Sequence, residues 1–454
     1  MSLDRRSAET PAVRGVGDLV NWFRARERPP SEWKVGLEHE KVPVVAGTTR
    51  PVPYGGPRGV GAFLRGFCRY GYEPFEDAGN VIAAQRFGLT VSIEPGGQIE
   101  LSGRPFQDVH VVADEIDRHH AKCSELGAEF GIELLATGYR PWGTPATAEW
   151  MPKTRYGVMR PFLAARGRYG EDMMAMTGST QASFDFGSEQ DVAEKLRTSL
   201  AVQPVSAALW ANSPIVNGRE SGWQAFRIQV WESVDPSRQG LLPFAFEPGF
   251  VDDPYRHYVE WALDVPMIFF RRDGAYRDPH GRTFRAFMTD GIEGERATLL
   301  DWEDHLSTLF TEVRVKGVVE VRAADACDAA MTKALAAFWK GLLYDRTARA
   351  DAFEVLRDMT IEQRRALMIG AGREGLRARA PDGRTLAALA RELIQISAAG
   401  LCRQNCCGKK GQDERVWLEP LASRAETSRS PADEALEAFR RGGDAALVEQ
   451  LRIA

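Results

Sequence analysis

Alternating polar and apolar residues predict several β-strands, each with charged or polar side chains along one face. In VGLEHEKV, Glu38 and Glu40 are two residues apart, so both side chains project from the same side of a strand. In TQASFDF, Gln181 begins a polar face that alternates with alanine and phenylalanine. In VVEVR, Glu320 and Arg322 share one face while the valines share the other. These segments therefore predict strands with one polar and one apolar side.

The segment SIEPGGQIEL (92–101) predicts a strand that enters a Pro-Gly-Gly turn and returns, with Glu94 and Glu100 on its two arms. The pair at positions 95–96, proline followed by glycine, suits the centre of a type II turn. A two-residue hairpin would place the two glutamates on opposite faces, whereas an extra residue bulged at Gly97 would place them together. The sequence leaves both arrangements open, and a shared acidic site requires the bulge.

Apolar residues at helical spacing predict helices between and after the strands. The segment 18–28 ends at a Pro-Pro pair, the segment 108–130 is a long amphipathic helix, and 188–212 begins with a capping serine. We therefore predict an α+β fold. Residues 1–327 would form an antiparallel-sheet core with flanking helices, and residues 328–454 a helical C-terminal region packed on that core.

The balance of charges excludes some classes of partner. The chain has 63 acidic and 58 basic residues, a formal charge of -5, which argues against a general affinity for nucleic acid. The first residues, MSLDRRSAETP, contain no apolar signal segment, and no apolar run approaches the length that crosses a bilayer. We therefore expect a cytoplasmic protein with neither a nucleic-acid nor a membrane partner.

The six cysteines are too few and too scattered to form a disulfide framework in a chain of 454 residues. Three of them, Cys402, Cys406 and Cys407, form a cluster that lacks both CxxC spacing and a nearby histidine. A zinc site and an incidental cluster are the two alternatives, and the spacing favours the incidental one.

The polar faces of the predicted strands are predominantly acidic, since Glu38, Glu100 and Glu320 lie on three of them and Gln181 adds an amide oxygen. A solvated sheet face would alternate in the same way but normally mixes lysine, threonine and arginine with glutamate. Carboxylates on one surface repel one another unless cations lie among them. Oxygen ligands suit Mg²⁺ or Mn²⁺, which usually accompany phosphate substrates. The residues therefore indicate metal-assisted phosphoryl chemistry.

The usual nucleotide-binding and hydrolase motifs do not occur in the sequence. There is no Walker A segment, no Rossmann glycine fingerprint, no kinase signature and no GxSxG elbow. The HExxH zinc motif fails because Pro43 stands four residues after His39. The segment MPKTRYGVMR concentrates basic residues that either form a solvated face or bind the oxygens of a triphosphate.

Several segments in order resemble the plant and proteobacterial type of glutamate-cysteine ligase, from about residue 16 to about residue 400. They are GLEHEK, SIEPGGQIELSG, MPKTRYGVMR, DFGSEQD, VWESVDPSRQGLLPF, DWEDHLSTLFTEVRVK and VEVRAAD. The resemblance implies a glutamine-synthetase-like fold, in which an antiparallel sheet curls into a bowl with helices on its outer side. It also implies an enzyme that uses ATP to join the γ-carboxylate of glutamate to the amine of cysteine through a γ-glutamyl phosphate, the first step of glutathione synthesis. We expect a monomer or homodimer, between which the sequence does not decide.

The same resemblance implies roles for individual residues. Arg322 would stabilise the transferring phosphoryl group, with Glu320 as its catalytic neighbour. Arg227 would hold a carboxylate of glutamate, next to Trp231 in the substrate pocket. The segment that begins FRIQVW predicts a strand or turn with both residues on one side. The implied ligands of Mg²⁺ or Mn²⁺ are Glu38, Glu40, Glu94, Glu100, Gln181 and Glu320. The implied ATP-binding residues, for which a surface ion pair is the alternative, are Lys153, Arg155 and Arg238.

The sequence departs from the family pattern at a few positions. Gly178 replaces a cysteine that plant members use for redox control, so we expect no disulfide switch of that kind. Ser183 replaces a pocket asparagine, and Gly88 and Leu89 stand where a basic residue is often found. A relative that joins glutamate to another amine is therefore the alternative function. A non-catalytic nucleotide- or amino-acid-binding protein is disfavoured, because the acidic positions and Arg322 are present.

Overall fold

A computed structural model of the protein describes residues 11–409 and 411–453. The first ten residues, most of the segment from which the absence of a signal peptide was argued, lie outside this part. The strands are β1 (Val35–Val45), β2 (Glu73–Asp77), β3 (Asn80–Arg86), β4 (Leu89–Ile93), β5 (Ile99–Ser102), β6 (Ile132–Leu135), β7 (Thr180–Phe184), β8 (Ile215–Val216), β9 (Arg219–Glu220), β10 (Gln239–Gly240), β11 (Phe270–Arg272), β12 (Ala275–Arg277), β13 (Phe310–Thr311), β14 (Val313–Val315) and β15 (Val319–Val321).

Helices surround these strands and dominate the C-terminal third of the chain. They are α1 (Val16–Arg24), α2 (Val60–Gly66), α3 (Val109–Phe130), α4 (Thr154–Ala164), α5 (Gly170–Met176), α6 (Glu189–Leu209), α7 (Phe226–Trp231), α8 (Pro254–Asp264), α9 (Phe284–Asp290), α10 (Leu299–Ser307), α11 (Ala329–Leu343), α12 (Arg346–Glu354), α13 (Ile361–Glu374), α14 (Leu386–Gln404), α15 (Glu419–Thr427) and α16 (Pro431–Leu451). None of the helices in the described ranges is both long and apolar enough to span a bilayer.

The main sheet has nine strands in the order β14-β15-β7-β1-β5-β4-β3-β2, with β6 also paired to β1. Its strand pairs are antiparallel, so the α+β class predicted from the sequence is confirmed. The long strand β1 holds the centre, because its residues 35–39 pair with β7, residues 38–41 with β5 and residues 42–45 with β6. This topology brings the polar faces of β1, β5, β7 and β15 side by side.

Helix α3 covers the face of the sheet opposite to the predicted acidic face. Asp108 caps its start by accepting a hydrogen bond from the backbone N–H of His110, at the boundary predicted from the sequence. On β1, His39 points away from Glu38 and Glu40, and its Nδ1 lies 3.3 Å from Nε2 of His120 on α3. Glu38 and Glu40 therefore lie on the side of β1 that faces away from α3, as the alternation predicted.

The C-terminal helices share a hydrophobic core with the sheet. Leu37 of β1 and Leu393 of α14 belong to one continuous cluster of buried apolar residues. Helix α11 packs against α3, α14 and β7 and so connects the sheet to the later helices. The domain boundary between residues 327 and 328 stays a prediction, because a shared core does not by itself mark a division.

The cysteine cluster at residues 402–407 does not gather its three thiols into one coordination group in the described part of the chain. Cys406 instead lies beside Asp108 and Glu414. The carboxylate of Glu414 is paired with Nζ of Lys340 at 2.7 Å, and these cysteines are free thiols. The incidental alternative is therefore favoured over a zinc site, since the nearby buried carboxylate already has a cation.

Candidate active site

The hairpin between β4 and β5 has a three-residue loop at positions 95–97. The N–H of Glu94 donates to the carbonyl of Gln98 at 2.9 Å, and the N–H of Gly97 donates to the carbonyl of Glu94 at 2.8 Å. Gly97 has φ +87°, whereas Gly96 is not in the left-handed region. The predicted type II turn was therefore wrong, because that turn requires a left-handed Gly96. A tight turn followed by a left-handed Gly97 is the three-residue hairpin with a bulge.

This hairpin geometry decides which face Glu94 occupies. Ser92 is the cross-strand partner of Glu100, and Glu94 lies two residues beyond Ser92, so both glutamates share one face. Glu40 is the direct cross-strand partner of Glu100 on the other side. Carboxylate oxygens of Glu40, Glu94 and Glu100 all lie within 4.8 Å of one another. We call these three residues the acidic cluster.

Burial and mutual repulsion perturb the acidic cluster. Burial first, and then the charge of Glu100, raise the pKa of Glu40 to about 7. Burial, Glu94 and Glu38 raise the pKa of Glu100 to about 8. The hydroxyl of Ser179 donates to Glu40 at 2.9 Å, and the hydroxyl of Ser102 donates to Glu100 at 2.6 Å. These two hydroxyl groups do not offset the repulsion, and the site favours a bound cation or proton.

The acidic cluster lines a cavity of about 410 Å³ on the polar face of the sheet. The cavity brings together side chains from β1, β5, β7, the hairpin loop, α4 and α7, which are far apart in the sequence. The predicted site residues that line it are Glu38, Glu40, Glu94, Glu100, Gln181, Arg155, Arg227, Trp231 and Arg322.

Glu320 lies outside the acidic cluster, contrary to its prediction as one of the metal ligands. Its buried carboxylate accepts hydrogen bonds from Nε of Arg314 at 2.8 Å and Nη1 of Arg322 at 2.9 Å, and it pairs with Nζ of Lys316 at 2.6 Å. Burial alone would raise the pKa of Glu320, but the three cations hold it well below its usual value. This carboxylate is therefore already neutralised by the protein.

A chain of hydrogen bonds joins Arg322 to the acidic cluster. Nη1 of Arg322 donates to Oε1 of Gln181 as well as to Glu320. Nε2 of Gln181 donates to the hydroxyl of Ser179 at 2.9 Å, and that hydroxyl donates to Glu40 at 2.9 Å. The amide oxygen of Gln181 thus accepts from an arginine, although the sequence predicted it as a metal ligand.

Arg227 and Trp231 lie one turn apart on helix α7, where the sequence predicted a strand or turn. Two guanidinium nitrogens of Arg227 donate to the carbonyls of Arg322 at 3.0 Å and Ala323 at 3.3 Å. A carboxylate oxygen of Asp325 lies 4.0 Å from the same guanidinium. The guanidinium carbon lies 5.4 Å from the ring centre of Trp231. Backbone and side-chain groups thus fix the guanidinium at the cavity wall.

Arg238 does not reach the cavity, so its predicted role in binding ATP was wrong. It is fully buried, and its Nε donates to Asp235 at 2.7 Å. Its other nitrogens donate to the carbonyls of Thr308, at 3.3 Å, and Pro266. The alternative of an ion pair is therefore the one observed, although the pair is buried and not on the surface.

The other two predicted ATP-binding residues flank the acidic cluster. Arg155 lines the cavity, with its guanidinium 5.5 Å from the ring centre of Phe269. Lys153 is buried outside the cavity lining, and its Nζ donates to the carbonyl of Ile93 at 3.4 Å. Burial raises the pKa of Glu94, and the charge of Lys153 opposes that rise. Lys153 is thus placed to keep a carboxylate of the cluster ionised.

The sequence reasoning missed Arg314 and Lys316, which border the cavity beside Glu320. A signal for them was present, since EVRVK alternates in steps of two and predicts both on one face of an extended segment. Arg314 is the cross-strand partner of Glu320. Which residue of β14 lies opposite Glu320 depends on the register between β14 and β15, and the periodicity of the sequence does not give that register.

The chain matches a family model described as Glutamate-cysteine ligase family 2 (GCS2) over residues 34–450. It is 36% identical over 427 residues to a glutamate-cysteine ligase, chloroplastic, of Nicotiana tabacum, covering 93% of this chain and 79% of the relative. It is also 36% identical over 426 residues to glutamate-cysteine ligase B, chloroplastic, of Oryza sativa subsp. japonica, covering 93% of this chain and 83% of that protein.

Two solved structures share the fold at low sequence identity. A glutamate-cysteine ligase from Francisella tularensis in complex with AMP superposes with a TM-score of 0.56 at 15% identity, covering 92% of this chain and 87% of that one. A bifunctional glutathione synthetase from Pasteurella multocida gives a TM-score of 0.54 at 14% identity, covering 96% of this chain and 53% of that one.

The relatives contradict one expectation drawn from the sequence. The protein was expected to be cytoplasmic, but the tobacco and rice relatives are named as chloroplastic enzymes. The cytoplasmic assignment was therefore wrong by this comparison.

Proposed function

The chain belongs to glutamate-cysteine ligase family 2, and from this premise we propose how its cavity joins glutamate to cysteine. The protein is a ligase that makes γ-glutamylcysteine, the first step of glutathione synthesis. ATP is the co-substrate. The observation that carries the assignment of the site is that the acidic cluster, Arg322 and Arg227 border a single cavity.

The acidic cluster fits a hard divalent cation. Its carboxylate oxygens lie within 4.8 Å of one another, Glu100 is buried while Glu40 and Glu94 are half-buried, and all three have raised pKa values. Glu38 borders the same cavity and offers a fourth carboxylate. Oxygen-only ligation of this kind suits Mg²⁺ or Mn²⁺. These residues would hold the cation, which when bound would neutralise charge on the phosphate oxygens of ATP during transfer of the γ-phosphoryl group.

Arg322 is positioned to stabilise the phosphoryl group as it moves to the γ-carboxylate of glutamate. A planar guanidinium with several donors suits the charge that develops on the equatorial oxygens. Glu320 and Gln181 each accept a hydrogen bond from this guanidinium, so its orientation is fixed before substrate binds. We assign Glu320 and Gln181 as positioning residues for Arg322, in place of the metal-ligand roles that the resemblance implied.

Arg227 binds a carboxylate of glutamate in this proposal. Carbonyl groups of the segment after β15 hold two of its nitrogens, while its buried Nε–H has no partner among the described residues. An unpaired charged donor at a cavity wall is costly unless a ligand accepts from it. Trp231 borders the same wall and packs against Phe310 with ring centres 5.8 Å apart, which gives the substrate an apolar side.

Arg155 is the remaining candidate for the triphosphate. It lines the cavity near the acidic cluster, and its buried Nε has no hydrogen-bond partner among the described residues. Lys153 acts on the cluster through Glu94. The nucleotide phosphates would therefore lie between the acidic cluster and α4, facing Arg322.

Two experiments test the reaction: one follows an oxygen atom of glutamate into phosphate, and the other compares amine acceptors. Glutamate labelled with ¹⁸O in its γ-carboxylate is incubated with ATP, Mg²⁺ and cysteine, and the released phosphate is analysed by mass spectrometry. An acyl phosphate intermediate transfers one ¹⁸O to phosphate, and unlabelled phosphate would contradict it. In parallel, ADP release is measured with a panel of amines. Cysteine should give the highest kcat/KM, and another amine ranking above it would make that amine the acceptor.

A further inference from the structure

A carboxylate that has no place in the mechanism so far, Glu312, lies beside Arg322. Val313 of β14 is the cross-strand partner of Val321, and the N–H of Arg322 donates to the carbonyl of Glu312 at 3.1 Å. Glu312 therefore lies one residue beyond the paired segment, beside Arg322. The side chains of Glu312 and Arg322 both border one small cavity.

Glu312 helps to form a small side cavity of about 40 Å³. Room for one water molecule requires roughly 10–15 Å³ on this measure, so about three such groups fit. The residues that border both this side cavity and the large one are Arg227, Trp231, Phe310 and Arg322. The side cavity therefore adjoins the large cavity, where we place the acyl phosphate, through these four shared lining residues.

The carboxylate of Glu312 makes no hydrogen bond and no ion pair within the described part of the chain, in contrast to Glu320. The charged groups that face it are Glu232 at the end of α7, Arg365 on α13, and Arg227 and Arg322 in the cavity wall. Burial first, and then the negative charge of Glu232, raise the pKa of Glu312 to about 8, while Arg365 opposes the rise. A carboxylate in this state is a stronger proton acceptor than an exposed glutamate.

The second half of the reaction needs such an acceptor. The amino group of an amino acid is an ammonium ion at neutral pH and has no lone pair with which to attack. We infer that Glu312 binds the ammonium group of the incoming amino acid in the side cavity and removes a proton from it, acting as the general base of amide formation. This inference rests on the proposed function, and it concerns the acceptor and not the phosphoryl transfer.

The proton and electron balance is complete without another reactant. The ammonium gives one proton to the Glu312 carboxylate, which becomes a neutral carboxylic acid. The free amine attacks the carbonyl carbon of γ-glutamyl phosphate, so that a C–N bond forms while the C–O bond to phosphate breaks and phosphate leaves with the electron pair. The nitrogen then loses its second proton to phosphate or water, and Glu312 releases its own proton to solvent.

The inference is tested with two acceptors that differ in protonation. Hydroxylamine is largely unprotonated at neutral pH, whereas the amine of cysteine is protonated. We expect Glu312→Gln to lower kcat with cysteine by roughly 10²-fold or more at pH 7.5, the usual contribution of a general base. With hydroxylamine, we expect γ-glutamyl hydroxamate formation within about threefold of wild type, because that acceptor requires no base. For cysteine, the deficit should shrink as the pH rises towards 10.

Matched variants separate this role from a structural one. Met368→Leu changes another side chain of the side cavity without altering a charge, and it should change the rates with the two acceptors by the same factor. Glu312→Asp should restore part of the rate with cysteine. Equal losses with both acceptors in Glu312→Gln, or no loss with either, would overturn the inference. A wild-type enzyme that transfers glutamate to neither acceptor would refute the proposed function itself, which is a different result.

Discussion

Glu40 of β1 lies directly opposite Glu100 of β5, so the pairing of two central strands places two carboxylates side by side. Like charges at directly opposite positions destabilise a sheet. The hairpin adds Glu94 to the same face, and the carboxylate oxygens of all three meet within 4.8 Å. The protein thus folds with a local electrostatic cost at the place where a cation is expected, and this cost can be measured.

The first prediction concerns pH and metal. The folded-state pKa values of Glu40 and Glu100, about 7 and about 8, lie above the ~4.3 of an unfolded glutamate. The folded metal-free protein therefore binds the additional protons between about pH 5 and 8, and its stability falls as pH rises through that window. In scanning calorimetry, Mg²⁺ should raise Tm more at pH 8 than at pH 6, relative to EDTA. An equal shift at both pH values would contradict a site at these carboxylates.

The second prediction concerns Glu100→Gln. This change removes one charge from the acidic cluster, so turnover should fall below detection while Tm in EDTA stays the same or rises. The reason is that repulsion is relieved and the ligand set is broken at the same time. Measurements of steady-state ADP release and thermal unfolding on one preparation test both effects. Glu133→Gln on β6, outside the cavity lining, is the control that should retain activity. Activity like that of wild type in Glu100→Gln would refute the metal assignment.

The third prediction concerns Arg322→Lys. A lysine keeps the charge but cannot donate in a planar fork to Gln181, Glu320 and a phosphoryl oxygen. Single-turnover formation of ADP should slow by roughly 10²-fold, the typical effect of losing one donor to transition-state charge. The Kd of ATP, measured by titration calorimetry without glutamate, should change far less. A loss confined to ATP binding would assign Arg322 to ground-state recognition.

The fourth prediction separates Glu320 from the acidic cluster. In Glu320→Gln, the cations of Arg314, Lys316 and Arg322 lose their common buried partner, so unfolding should become easier by about 3–5 kcal/mol, the range for breaking a buried pair. This is the opposite of the result expected for Glu100→Gln. Urea unfolding in EDTA compares the two variants directly. Were Glu320 a metal ligand, both variants would respond alike, and the destabilisation would appear only with Mg²⁺.

The fifth prediction tests the corrected assignment of Arg238. Arg238→Ala leaves Asp235 buried without its cation, so Tm should fall substantially, by an amount equivalent to about 3–5 kcal/mol. The KM for ATP should stay unchanged at a temperature where the variant is folded. Arg155→Ala is the comparison, since it should raise the KM for ATP with little change in Tm. A rise in KM for ATP in Arg238→Ala would restore the phosphate-binding role.

The sequence supplied the strands and the strand faces on which Glu38, Glu40 and Glu320 lie, because a period of two is enough to sort the side chains of a strand between its two faces. It did not supply distances between strands. Glu94 could be placed only once the left-handed residue was known to be Gly97, and that choice is made by the hairpin as a whole. The resemblance to the family identified candidate residues of the site, but it did not identify the groups with which each of them forms hydrogen bonds or ion pairs.

Three residues show where the sequence reasoning stopped. Glu320 looked like one more acidic ligand, but register placed Arg314 opposite it and two further cations beside it. Arg227 was expected on a strand or turn and lies on a short helix. Arg238 pairs with Asp235, three residues before it, and donates to carbonyls of the distant Thr308 and Pro266. For Glu320 the register of the β14–β15 hairpin decides the partners, and for Arg238 the tertiary contacts remove it from the cavity.

The hydrogen bonds that run from Arg322 through Gln181 and Ser179 to Glu40 connect the residue proposed to bind the phosphoryl group with a residue proposed to bind the cation. The Ser179 hydroxyl donates to Glu40 and accepts from the amide of Gln181, whose oxygen accepts from Arg322. The metal end and the phosphoryl end of the proposed site are therefore held in one preformed framework.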